Sequence, residues 1–159
     1  MPEINITFAR PGDEALIIDF IAQLAVYEKL SHEAKATPED LTKALFGPRP
    51  YAECLIGHLD GVPAGFALFF HNFSTFIGKP GIYLEDLFVI PSLRGYGIGK
   101  ALLMHLAAIA KERGCGRLEW SVLDWNTPAQ DFYKKLGAVP MDEWTIYRMT
   151  EEVIERAVR

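Results

Sequence analysis

Residues 84–100 read Leu-Glu-Asp-Leu-Phe-Val-Ile-Pro-Ser-Leu-Arg-Gly-Tyr-Gly-Ile-Gly-Lys, an apolar run with two acids, a proline, a glycine-rich turn and a helix start. A helix that begins on such a turn leaves its first backbone N–H groups unpaired, and its N-terminus favours negative charge. Gly95, Gly97 and Gly99 remove the side chains that would keep a phosphate from those groups. The spacing narrows the ligand. A nucleotide P-loop needs glycine at 94 and Ser or Thr at 101, where Arg94 and Ala101 stand. A dinucleotide fingerprint needs glycine at 100, where Lys100 stands. What remains is a phosphate cradle of another spacing, Arg94-x-x-Gly97-x-Gly99. The plain alternative is an ordinary strand-turn-helix connection. Three glycines in five residues argue against it, because each costs about 0.5–1 kcal/mol where the chain is ordered.

Glu85 and Asp86 stand in the strand that feeds the cradle. Alternation sends neighbours to opposite faces, so a shared-proton pair is not expected. A carboxylate buried without a partner is costly, which gives at least one of them a specific task. Tyr133 reads either as a packed helix tyrosine or as a proton donor, and Tyr27-Glu28, on their own residues, as a plain helix end. His32, His58, His71 and His105 show no metal-ligand spacing, and Trp120, Trp125 and Trp144 read as packing residues.

These groups need elements to hold them. Residues 4–10 alternate as a half-buried strand, and Asp13 can cap a helix to about Leu30 with Leu16, Ile17, Phe20, Ile21 and Leu24 inward. Thr37-Pro38-Glu39-Asp40 starts a short helix. Apolar runs at 51–59 and 62–71 flank Asp60-Gly61, a hairpin signal, followed by a loop at 72–81 and a strand at 82–89. A helix from about Gly97 to Arg113 turns Ile98, Leu102, Leu106 and Ile109 inward, and a strand at 117–123 follows. Thr127-Pro128-Ala129-Gln130 reads as a capping box with Thr127 as the cap, leaving the Asn126 amide free. Strands are expected at 138–141 and 144–149, then a polar tail.

The chain has 159 residues, half of them hydrophobic, enough for one domain with a real core. A net charge of −5 argues against nucleic acid as the main partner. No apolar run is long enough for a transmembrane helix, and no secretory signal is read at the N-terminus. Cys54 and Cys115 read as small apolar residues of a protein in the reducing cytoplasm.

The order of elements, together with Tyr27-Glu28, Ile77-Gly78-Lys79, Tyr83-Leu84-Glu85-Asp86, the cradle, Asp124-Trp125-Asn126 and Phe132-Tyr133-Lys134, resembles the Gcn5-related N-acetyltransferases. Within them it is similar to the spermidine/spermine and thialysine acetylating group. The resemblance implies one α/β (α+β) domain over residues 1–159, with a mixed, mostly antiparallel sheet of about six or seven strands flanked by helices. It implies acetyl-CoA as co-substrate and no metal. Leu87, Phe88 and Val89 would meet the pantetheine arm, and Arg94, Gly95, Tyr96, Gly97, Ile98, Gly99 and Lys100 the pyrophosphate. Asn126, Ala129 and Tyr133 would complete the coenzyme site, with the Tyr133 hydroxyl protonating the departing thiolate. Tyr27, Glu28, Phe76, Glu85 and Asp86 would face a small amine, Glu85 as proton acceptor or cation binder.

The resemblance also implies a homodimer, while charge and hydropathy point to neither a nucleic-acid nor a membrane partner. Phe76 stands where the polyamine enzymes carry Trp, so the amine is left open among polyamines, diamines and thialysine-like amino acids. Two rivals remain: a non-catalytic acyl-CoA-binding domain and a protein-directed acetyltransferase.

Overall fold

The computed structural model describes residues 1–158. They form two units, one over Met1–Ser121 and one beginning at Val122. The first holds a five-stranded sheet, β1 (Ile4–Phe8), β2 (Glu53–Leu59), β3 (Val62–Ser74), β4 (Lys79–Val89) and β5 (Leu118–Trp120), lying side by side in chain order. The first four strands are antiparallel and β5 runs parallel to β4, so the sheet is mixed and mostly antiparallel as expected.

Three helices belong to this unit, α1 (Glu14–Tyr27), α2 (Pro38–Phe46) and α3 (Ile98–Glu112). Ile17, Phe20 and Leu24 of α1 and Leu41 and Leu45 of α2 pack on Cys54, Ile56, Phe66 and Phe88 of the sheet. The Phe20 and Phe66 rings stack with centroids 5.5 Å apart. Gly57 points to the other face, where an added Cβ would come within 3.0 Å of Ile98. That face therefore carries α3, with Ile98, Leu102, Leu103 and Leu106 buried beneath it.

Several local expectations change. Asp13 precedes α1 without capping it; its carboxylate accepts from the Arg10 N–H at 2.8 Å instead. Thr37 and Asp40 form the capping box of α2. Asp60 and Gly61 both have positive φ, 49° and 80°, the turn geometry that matches strand twist in a tight hairpin. Residues 72–81 are mostly strand rather than loop, because β3 and β4 pair out to Ser74 and Lys79. The expected strand at 117–123 keeps only Leu118–Trp120.

The second unit holds α4 (Thr127–Lys135) and α5 (Glu151–Ala157). Residues 138–141 and 144–149 form no strand, so the described sheet has five strands rather than six or seven. A strand needs an edge to pair with, and Trp144, Ile146 and Tyr147 are 73%, 78% and 92% exposed. Trp144 is thus no packing residue. The end of the chain, expected as a polar tail, forms α5, whose N-cap Thr150 accepts from the Val153 N–H.

Both ends of α3 are held. At its C-terminal end Arg113 makes two bonds to Glu53, at 2.6 and 2.9 Å, and a third to His71 Nε2 at 2.9 Å. His71 Nδ1 lies 3.0 Å from the Gly81 carbonyl, so it carries the proton and Nε2 accepts. At the N-terminal end Gly97 is the cap residue with φ 87°, after Gly95 at φ 89°. A side chain at either would be strained, whereas at Gly99 an added Cβ would meet only Val89, at 3.7 Å. Gly97→Ala should therefore cost about 1–3 kcal/mol, and Gly99→Ala should leave stability unchanged or raise it by up to about 1 kcal/mol. Urea unfolding of both variants checks the contrast.

Candidate active site

The strand that feeds the cradle carries one register step. Leu68 of β3 faces Asp86, while the next residue, Phe69, faces Leu84, so Glu85 has no partner across the ladder. Such a bulge re-aims the strand and interrupts its alternation. Leu84, opposite Phe69, belongs to the α3 face. Asp86, opposite Leu68, belongs to the α1 face with Phe88. The expectation that Glu85 and Asp86 part by simple alternation fails here for that reason. Glu85 is exposed and Asp86 half-buried.

Burial, then Glu85, then Glu28, push the Asp86 carboxyl up to about 7. Burial also raises the Glu28 carboxyl. Glu28 is the C-cap of α1, where helix carbonyls add negative partial charge. The helix closes there with Lys29 in a left-handed conformation at φ 61°, and Leu30 N–H reaches back to Ala25 O at 2.8 Å. Glycine is the usual residue at that position. A lysine there stores backbone strain beside Tyr27 and Glu28.

The cradle follows β4 through a 3₁₀ turn at Pro91–Leu93. No side chain caps α3, and its first internal bond is Ala101 N–H to Gly97 O, so the N–H groups before Ala101 face outward as an anion site requires. Open space at Gly95, and only Ile4 near an added Cβ at Gly97, fit a pyrophosphate lying against bare backbone. Arg94 turns its Nε to the Val89 carbonyl at 3.0 Å. Its guanidinium lies 4.9 Å from the Tyr27 ring centroid and 5.6 Å from that of Phe88.

The first unit thus brings together Tyr27, Glu28, Glu85, Asp86, Phe88, Val89 and the cradle. Phe76 stands apart, 96% exposed in the turn between β3 and β4. It precedes Asp86 by ten residues, roughly 20 Å or more along β4. The structure does not bring it to the acids.

In the second unit, Asn126 corrects the expected cap. It is 8% exposed and its Oδ1 accepts the Ala129 N–H at 3.3 Å, so Asn126 caps α4 and Thr127 is already helical. Gln130 reaches the Leu123 and Asp124 carbonyls instead of closing a capping box. The Ala129 N–H is therefore spent on the Asn126 cap. Tyr133 is half-buried, its ring 5.6 Å from that of Phe132. The Arg113–Glu53–His71 cluster carries no sequence signal, because its members are brought together only by the pairing of β2 with β3 and the length of α3.

Residues 21–138 match the acetyltransferase (GNAT) family. The chain is 37% identical to the thialysine N-epsilon-acetyltransferase of Bos taurus, over 97% of this chain and 96% of that protein. It is 32% identical to an L-ornithine N5-acetyltransferase of Arabidopsis thaliana, covering 95% and 86% of the two chains. An integron cassette protein of V. cholerae superposes with a TM-score of 0.81 at 28% identity, over 98% of both chains. An aminoglycoside N-acetyltransferase in complex with CoA shares the fold at a TM-score of 0.70 and 20% identity, covering 94% and 96%. The chain belongs to the acetyltransferase (GNAT) family. Among the described residues no helix is long and apolar enough to cross a membrane.

The Asp86 environment sets a stability signature. Between about pH 4 and 7 the folded protein holds a proton on Asp86 that the unfolded chain has released, so this group's contribution falls as pH rises through that window. Asp86→Asn should raise stability at pH 8 by roughly 1–3 kcal/mol and change little at pH 4. Denaturation midpoints at the two pH values check this.

Proposed function

We propose that this protein transfers the acetyl group of acetyl-CoA to a primary amine of a small cationic substrate, a polyamine, diamine or thialysine-like amino acid. One observation carries the reading: the acids Glu28 and Glu85 stand close enough to Asp86 that, together with burial, they push its carboxyl up to about 7. A bound ammonium group would offset that negative charge. The thialysine and ornithine acetyltransferases among the relatives support the same substrate class.

Acetyl-CoA supplies the acyl thioester, with its pyrophosphate against the backbone of Arg94–Lys100 and its pantetheine arm along Leu87, Phe88 and Val89. The amine attacks directly in a ternary complex. At pH 7 only on the order of one ammonium in a thousand is neutral, so the proton needs an acceptor. Glu85, exposed at the bulge, takes it directly or through water. A second reading gives this step to Asp86, because a group held near 7 suits proton transfer at neutral pH. Nitrogen bonds to the acetyl carbon, the carbon–sulfur bond breaks, and the Tyr133 hydroxyl protonates the leaving thiolate. In the same proposal the enzyme works in the cytoplasm, in keeping with its two free cysteines, and as a homodimer whose second copy covers the exposed Trp144, Ile146 and Tyr147.

Free-thiol release from acetyl-CoA across a panel of thialysine, ornithine, diamines and spermidine tests the activity; a protein that binds acetyl-CoA and acetylates none of them is a binding domain. Tyr133→Phe should lower kcat by roughly 10²–10⁴ with acetyl-CoA affinity kept, and a near-normal rate would leave Tyr133 as packing. Glu85→Gln should lower kcat at neutral pH and recover as pH rises, because free amine then forms without help. If the loss and recovery follow Asp86→Asn instead, Asp86 is the acceptor.

A further inference from the structure

The Arg94 backbone belongs to the cradle, and its side chain reaches the ends of β4 and α1. Its Nε is fixed on the carbonyl of Val89, the last residue of β4, at 3.0 Å. Its guanidinium carbon lies over the buried Phe88 ring, 5.6 Å from the centroid, and over that of Tyr27, 39% exposed, at 4.9 Å. Tyr27 ends α1, and the next residue is Glu28 of the acid cluster. A guanidinium is planar: its faces stack on aromatic rings while its edge N–H groups still donate to an anion. One side chain can therefore serve the pyrophosphate with its edge and hold the end of α1 with its face.

We propose that Arg94 is a positioning residue for the acceptor site, coupling occupancy of the cradle to the placement of Tyr27 and Glu28. The inference rests on the amine-acetylating reading above. An anion in the cradle restrains Arg94 between Val89 and the phosphate. That restraint holds the Tyr27 ring on the guanidinium face, and Glu28 with it. The two sites then bind cooperatively, and by linkage each ligand raises the affinity for the other by the same factor. A cation–aromatic contact at an exposed site sets the size of the effect, about twofold to fivefold.

Free CoA provides a probe that fills the cradle without turnover. The affinity of thialysine and of spermidine is measured by calorimetry with and without saturating CoA, in the native protein and in three variants. The native protein should bind the amine about twofold to fivefold tighter with CoA present. Arg94→Lys keeps the positive charge but loses the Nε bond and the flat face, and should bring the factor to about one. Tyr27→Leu should do the same, and Tyr27→Phe, which keeps a ring face, should retain it. An unchanged factor in Arg94→Lys and Tyr27→Leu, with urea midpoints showing both folded, overturns the inference while leaving the amine site standing. If neither amine binds the native protein in either state, the acceptor-site reading falls and the coupling falls with it.

Discussion

One missing partner in the β3–β4 ladder organises the site. Because Phe69 pairs with Leu84 and Leu68 with Asp86, Glu85 is left out of the ladder and β4 changes which face it offers. Before the step, Ile82 and Leu84 are buried under α3; after it, Phe88 joins the core beneath α1 and α2. The same step brings Asp86 to the α1 side, where burial and the other acids act on it. Straight pairing would put Leu84 and Asp86 on one face and remove that contrast. Bulges concentrate near active sites because they re-aim a side chain where a regular strand cannot.

The rest of the first unit holds its two ends against this step. The aromatic cluster of Phe20, Phe66 and Phe88 seats α1, whose last turn delivers Tyr27 and Glu28. On the other face the apolar stripe of α3 sets the helix direction, and the Arg113–Glu53 pair fixes its far end. The near end is then free to present unpaired backbone N–H groups to an anion. Two unfavourable features gather beside the end of α1: a lysine with positive φ after Glu28, and a carboxyl held near 7. Each lowers the stability of the empty protein, and a bound cation would relieve the second.

Much of this was legible in the residues alone. The cradle followed from three glycines whose spacing excluded other phosphate loops, and two of them indeed take a positive φ at the start of α3. The Asp60-Gly61 hairpin and the Thr37–Asp40 capping box also followed from local chemistry that tertiary packing does not override. The bulge was not legible, since a register step depends on the facing strand and leaves no mark in the sequence of β4. The cap of α4 is ambiguous in the sequence, because Asn126 and Thr127 are adjacent and both are good caps. The strands expected after Gly137 have the right residue types, but propensity does not supply an edge to pair with. Phe76 was grouped with the acids by resemblance, and only the length of β4 shows how far from them it lies.

In the proposed reading Glu28, Glu85 and Asp86 receive the substrate ammonium, so the Asp86 carboxyl must respond to it. Carbon-13 NMR titration of that carboxyl, with and without saturating spermidine, follows this response. A midpoint near 7 is expected in the free protein. With the amine bound the midpoint should fall by about one unit or more, because a neighbouring positive charge favours the carboxylate. A midpoint near 4 in the free protein, or one that the amine leaves unmoved, would contradict the reading.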